Sequence, residues 1–518
     1  MFSSSGANFG PSSSLDLLDR VAIAYLALPL VIFVLGWLEL WAALPLVACI
    51  GYALKPLLGP KPVQGVRFPV TPMQLVLAVS VGIGWTVFGG GAHLLFANPD
   101  WHIRDAVLHD LVISRWPVGY GLLDGKESVL RAPIAYYLPA ALVGKLAGLP
   151  MAHMAMALWT AAGATLFLLQ VLSLTPSRAS TAVMVVSVVV LFSGFDIIGC
   201  LLNYGGRFRA TWDIAMHLEW WAGNFQYSSM TTQLFWVPNH ALGGWLTIGL
   251  LFRDRRETPL ESLLPIVVVA ATLWSPLSAL GVVPFVLWKV ISTALHERSW
   301  RFLDPRVWAP AVIVGLVIAA YLVLDSSGIP KGLSVSAQGA GPVTDDLLRL
   351  AQFFLLEAGL IGFAILVIRP SSQVVLALVI LALLPLAYFG PGNDLVMRAS
   401  IPSLAVLAIG ACLALSRKAL IGSMVGKKWL LACLLLIGAV TPIQEFARAT
   451  VLRSWPINLE ATLIGANCGH FASHYVARLG DSMIGRVLRK PYRMPLGPQD
   501  SEACDNPAID LMHERRLL

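Results

Sequence analysis

The run Met73-Gln74-Leu75-Val76-Leu77-Ala78-Val79-Ser80-Val81-Gly82-Ile83-Gly84-Trp85-Thr86-Val87-Phe88-Gly89-Gly90-Gly91-Ala92-His93-Leu94-Leu95-Phe96 is followed, after Ala97, by Asn98-Pro99-Asp100-Trp101-His102-Ile103-Arg104-Asp105-Ala106-Val107-Leu108-His109-Asp110-Leu111. An apolar run of that length reads as a membrane-spanning helix. The second stretch is dense in ionisable side chains, which beside a bilayer need water or partners. The charged cluster is therefore expected where a spanning helix surfaces, and it is the natural centre of an active site.

The composition sets the class. Of 518 residues, 57% are hydrophobic and 13% charged, with a mean hydropathy of +0.74. Soluble domains carry about 25% charged residues, so this is an all-α polytopic membrane protein with little soluble mass. A net charge of +7 does not indicate nucleic acid, because surplus Lys and Arg in such chains act as topology signals. Serines stand where a signal peptide would have a basic start, so the first membrane helix is expected to do the targeting. The six cysteines form no CxxC pair, which argues against a zinc site. Cys49, Cys200, Cys412 and Cys433 read as small core residues. Cys468 and Cys504 in the polar tail are either a disulfide or two free thiols.

Residues 1–19 read as disordered or interfacial, 20–444 as the transmembrane domain, and 445–518 as a small external tail or domain. The apolar runs give about 13 transmembrane helices. External loops fall at 97–151, 201–236, 325–346 and 389–398, and the first is expected to hold interfacial helices. The ambiguous stretch is 134–149, which is apolar but short, flanked by Pro133 and Pro150, and contains Pro139 and Lys145. If it re-enters instead of spanning, 16 Lys and Arg fall in inside loops against 8 in short outside loops, as the positive-inside rule requires.

The external segments carry most of the polar chemistry. Asp100 and Asp105 are the candidate bases, and His102 lies between them. An amphipathic interfacial helix with solvated charges is the plainer alternative for His109 and Asp110. Arg207 and Arg209 sit in a Trp-rich second segment, which otherwise reads as an aromatic belt. Pro238-Asn239-His240 opens a span, and polar groups at that depth normally line a cavity, so Asn239 and His240 are candidate acceptor or cavity residues. In Gly390-Pro391-Gly392-Asn393-Asp394-Leu395-Val396-Met397-Arg398, Asn393, Asp394 and Arg398 meet the interface. Arg207, Arg209 and Arg398 suit a lipid-linked phosphate, because a guanidinium offers forked donors to oxyanions. Carboxylates for proton removal and cations for a departing phosphate fit group transfer from a lipid-phosphate donor.

On these residues the chain resembles the GT-C class of membrane glycosyltransferases, which use polyprenyl-phosphate-linked sugars. Members such as lipid A aminoarabinose transferases have a Pro-Asp-Glu run after an early helix, an amphipathic stretch and then a proline-led apolar segment with aromatics. Pro99-Asp100-Trp101, Arg104 to Leu111, and Ala132-Pro133-Ile134-Ala135-Tyr136-Tyr137-Leu138-Pro139 up to Gly148 are similar over residues 73–175. The resemblance implies that Asp100 is the base. Trp101 stands where the class has an acidic partner, which leaves Asp105 as a competitor. It further implies an inverting transferase in the cytoplasmic (inner) membrane, acting on its external, periplasmic face, with an envelope glycan or lipid as acceptor. No cofactor motif is present, and a divalent metal stays open; no metal-ligand set is assigned. Two alternatives remain: a transporter or flippase of a polar lipid or glycan, and a polysaccharide polymerase or ligase.

Overall fold

The computed structural model describes residues 15–58, 69–205, 212–253, 260–297, 304–334, 343–390, 392–418, 422–460, 462–467, 474–480 and 482–494. The chain is mostly helical, as a lipid environment demands, since only a helix satisfies every backbone group of an apolar run from within. Among the described residues, nine helices are long and apolar enough to cross a membrane. Helix Leu17–Trp37 begins at Asp16, whose carboxylate accepts the Asp19 N–H at 3.0 Å as an N-cap.

The helices differ in how deeply they sit. The Asp394–Ser416 span is 83% buried and the Leu40–Leu58 and Pro305–Leu322 spans 22% each, so the first is central and the others are peripheral. Leu44, Leu316 and Leu436 turn outward from the bundle, the natural direction for leucine facing lipid. Cys200 and Cys412 are buried, whereas Cys433 is exposed on an outer helix, a departure from the expected core position. Cys468 and Cys504 lie outside the described residues.

The apolar run that opened the chain stops being helical before it ends. Helix Pro72–Phe88 closes at Gly89, and Gly90 adopts φ +82°. A Cβ there would stand 2.5 Å from the Ala97 Cα. Ala92 and His93 follow with positive φ, a backbone state that side-chain-bearing residues adopt at a cost. The turn brings His93 back toward helix Asp100–Ile113.

The ambiguous stretch becomes helix Leu138–Ala147, ten residues long. At 1.5 Å per residue it covers about 15 Å, half the hydrocarbon thickness, and it is too short to cross. The Lys145 ammonium donates to the Ser114 carbonyl at 2.5 Å and to that of Val112 at 3.3 Å, satisfying orphan acceptors at the end of helix Asp100–Ile113. Gly148, at φ +89°, then turns the chain into helix Leu149–Leu172.

The tail is stitched to the first loop. Val476–Arg478 pairs antiparallel with Lys126–Leu130, and Tyr492–Arg493 pairs parallel with Val118–Gly119. The Arg489 N–H donates to the Trp37 carbonyl at 2.9 Å. The boundary expected at 445 falls inside helix Val440–Val451. Glu445, the expected start of the tail, forms a buried ion pair with Arg448 at 2.5 Å within that helix.

Candidate active site

Helix Asp100–Ile113 is fixed at its start by two side chains on one acceptor. The Asn98 amide and the Trp101 indole both donate to the Phe235 carbonyl, at 2.7 and 3.1 Å. The Asn98 side-chain oxygen accepts the Asp100 N–H at 3.1 Å, a local turn that asparagine favours. The loop before the helix is thus anchored to helix Met230–Trp236, from a distant part of the sequence.

Asp100 opens into a cavity of about 530 Å³, which Arg398 also lines. That volume lies within the range of small-molecule sites. The Asp100 side chain is 46% exposed, and Arg104, one helical turn on, holds it with Nη2 donating to Oδ2 at 3.2 Å. Arg104 itself is buried, with its guanidinium carbon 5.7 Å from the centre of the Trp101 ring. Its Nε and Nη1 have no hydrogen-bond partner among the described residues.

Arg398 ends helix Asp394–Ala399, and its Nε and Nη2 lie 2.8 and 2.7 Å from Asp394 Oδ1. Asp394 can come this close because Gly390, at φ +88°, lacks a side chain: a Cβ would stand 2.3 Å from Asp394 Oδ2. Asn393, also at positive φ, is buried with its Oδ1 unpartnered among the described residues, and its neighbour Gly392 lines the cavity.

Asp105 has a different setting. Its carboxylate is fully buried, with His93 Nε2 at 3.0 Å and His153 Nδ1 at 3.7 Å. The Asn458 N–H donates to it at 3.3 Å, and the other nitrogen of His93 reaches the Trp455 carbonyl at 3.2 Å. Asp105 is not among the residues that line the cavity with Asp100, and its carboxylate instead joins His93 and the Asn458 N–H to this helix. Asp110 is equally buried. It accepts from the Tyr120 hydroxyl at 2.7 Å and the Leu463 N–H at 3.0 Å, and lies 3.0 Å from His109 Nδ1. Burial pushes its carboxyl above the usual range against those hydrogen bonds. Asp110 thereby ties the tail to this helix through Leu463, and neither Asp110 nor His109 is a solvated charge.

His102 is buried in the same helix and is not part of the cavity lining. Asn239 and His240 begin helix Pro238–Arg253 directly after Val237, which does line the cavity. The Asn239 Oδ1 is buried without a partner among the described residues, and His240 Nδ1 lies 2.8 Å from the Ser275 hydroxyl. His240 is within electrostatic reach of both Arg398 and Arg104. These residues form a polar layer next to the cavity, not its surface. Arg207 and Arg209 lie outside the described residues.

The sequence reading passed over one wall of the cavity. His217, Trp220, Gln226, Ser228 and Trp236 line it, in a segment read as an aromatic belt. Burial lowers the His217 imidazole to about 4, so the ring is neutral. Behind the wall, Glu219 accepts from Gln226 Nε2 at 2.7 Å and the Ser229 N–H at 2.8 Å. Burial raises the Glu219 carboxyl to about 8. A Glu set among these tryptophans is the sequence signal that part of this segment packs against protein. No group of three His, Cys, Asp or Glu side chains suited to a metal ion occurs among the described residues.

Chemically, the cavity joins one accessible carboxylate to one partly accessible guanidinium. A proton acceptor and an anion ligand can therefore act on one bound molecule. Compared with protein families, curated proteins and solved structures, the chain matches none.

Proposed function

We propose that the protein is an inverting glycosyltransferase that moves a sugar from a polyprenyl-phosphate donor to an envelope glycan or lipid. The observation that carries this reading is the meeting of Asp100 and Arg398 in one cavity. Asp100 takes the proton of the acceptor hydroxyl as its oxygen bonds to the anomeric carbon. The bond from that carbon to the phosphate oxygen breaks, and polyprenyl phosphate leaves with the added negative charge facing Arg398. Arg104 holds the Asp100 carboxylate in place.

Our proposed topology has 13 crossings, taking Pro72–Phe88, Pro238–Arg253, Leu260–Trp274 and Ser372–Leu386 as spans beside the nine long apolar helices. In that topology the cavity opens on the external face of the inner membrane and the polybasic loops lie inside. The test is transfer from a polyprenyl-phosphate hexose by the full chain in lipid nanodiscs. Asp100→Asn is expected to abolish it while the variant still inserts and folds; transfer at the parental rate by the variant overturns the base assignment, and no transfer by the parental chain overturns the glycosyltransferase reading.

A second reading, a transporter of a polar lipid or glycan, draws on Asp196 and Glu357, both buried among apolar helices. Ionisable groups at that depth often mark a translocation path. It requires uptake or flipping in proteoliposomes that Asp100→Asn leaves intact and Glu357→Gln stops.

A further inference from the structure

One wall of the cavity is a stack of rings. Trp220, 57% exposed, lies against His217 with centroids 4.9 Å apart and planes at 24°. His217 is in turn 4.8 Å from Trp236. The Trp236 end is braced, because its indole N–H donates to Glu445 at 3.0 Å and the Arg448 guanidinium lies 5.9 Å from the ring centre. The Trp220 end is open. Beside the rings stand Gln226 and Ser228. The Gln226 amide nitrogen is committed to Glu219 at 2.7 Å and to the Ser228 hydroxyl at 2.9 Å, which leaves its carbonyl oxygen as the acceptor for a ligand.

This combination selects among ligands. A purely apolar chain would leave the Gln226 and Ser228 groups unpaired on burial, which is costly. A bare anion would gain little from uncharged rings and an amide oxygen. A pyranose ring has an apolar C–H face and a rim of hydroxyls, so it meets the rings with one and the amide and hydroxyl with the other. We propose that the Trp220–His217–Trp236 stack is a sugar-binding subsite, on which a pyranose ring lies with its hydroxyls against Gln226 and Ser228. The choice of a sugar rests on the glycosyl-transfer reading; the shape and polarity of the wall do not.

The test uses the full chain in nanodiscs with three probes: a polyprenyl-phosphate hexose, sugar-free polyprenyl phosphate, and a methyl hexopyranoside. Trp220→Ala is expected to weaken a sugar-bearing probe about tenfold, the scale of one lost aromatic contact, and to leave sugar-free polyprenyl phosphate unchanged. Trp220→Phe should restore most of the loss. Selective weakening of the hexose-bearing lipid assigns the subsite to the donor sugar, and selective weakening of the methyl glycoside assigns it to the acceptor. Equal affinity of parent and Trp220→Ala for all three probes overturns the proposal, as does equal weakening of the sugar-free lipid. Sugar binding is measured in the Asp100→Asn background as well. Loss of transfer there with unchanged sugar affinity supports both readings. Retained transfer there overturns the base assignment and leaves the sugar subsite standing.

Discussion

Asp100 and Asp105 sit on one helix, five residues apart, and have opposite fates. Asp100 is 46% exposed in a cavity, whereas Asp105 is sealed at 0% between His93 and the Asn458 N–H. Helical geometry accounts for the difference. At about 100° per residue, five residues rotate a side chain by roughly 140°, onto the far face, while the four that separate Asp100 from Arg104 bring it back to nearly the same face. The start of helix Asp100–Ile113 therefore opens to the cavity at Asp100, while the side that carries Asp105 locks the helix to the tail and to helix Leu149–Leu172. A carboxylate that acts on a ligand needs access, and one that holds tertiary structure needs the reverse.

The contrast can be broken in four ways. The largest effect is expected in rate. Under the proposed function, Asp100→Asn should cost at least about 100-fold in kcat, the lower end of general-base contributions, with Tm unchanged within error. Asp105→Asn should show the opposite pattern. Removing a buried carboxylate that accepts hydrogen bonds leaves its donors unsatisfied, at a cost of about 1–3 kcal/mol or more, so its Tm should fall by several degrees while the folded fraction keeps its turnover. If Asp105→Asn were stable and inactive, the assignment of the two faces would be reversed.

Arg398→Ala should weaken polyprenyl-phosphate binding about tenfold, as expected for one charge-assisted hydrogen bond, and leave acceptor affinity in place. Equal losses for donor and acceptor would make Arg398 a structural partner of Asp394. A further test concerns another sealed carboxyl. Glu219 is raised by burial from its ordinary 4.5 to about 8. A folded-state pKa above the unfolded value contributes stability that is whole below about 4.5 and is lost as pH rises through 8. The parental Tm should therefore drop between pH 5 and pH 9, and Glu219→Gln should flatten that slope. A parallel slope in the variant would place the titration elsewhere.

Part of the site was legible in the residues and part was not. Asn98-Pro99-Asp100 at the mouth of an apolar run marks the start of a charged helix. The pairing of Asp100 with Arg104 follows from their i, i+4 spacing. Asp124-Gly125 is a hairpin turn signal, and Leu122–Leu123 does pair with Lys126–Leu130 around it. Nothing local tells that Val476–Arg478 adds a third strand, because strand partners far apart in sequence leave no periodic trace. The same holds for His93, which looks like one polar residue within an apolar run until the turn at Gly90 aims it at Asp105.

By itself the sequence determined that the chain is helical and lies in a membrane, because apolar runs of this length can satisfy their backbones in lipid only as helices. It also determined that Asp100 and Asp105 cannot share a helical face, since the angle per residue is a property of the α-helix. Only the tertiary structure decided which face is open. Asp105 is buried because His93, His153 and Asn458 arrive there from three other segments. Asp100 is accessible because Arg398 and the Trp220–Trp236 wall, also from elsewhere, stand back from it around a cavity. Burial is a sum over all neighbours, and those neighbours are set by how the helices pack.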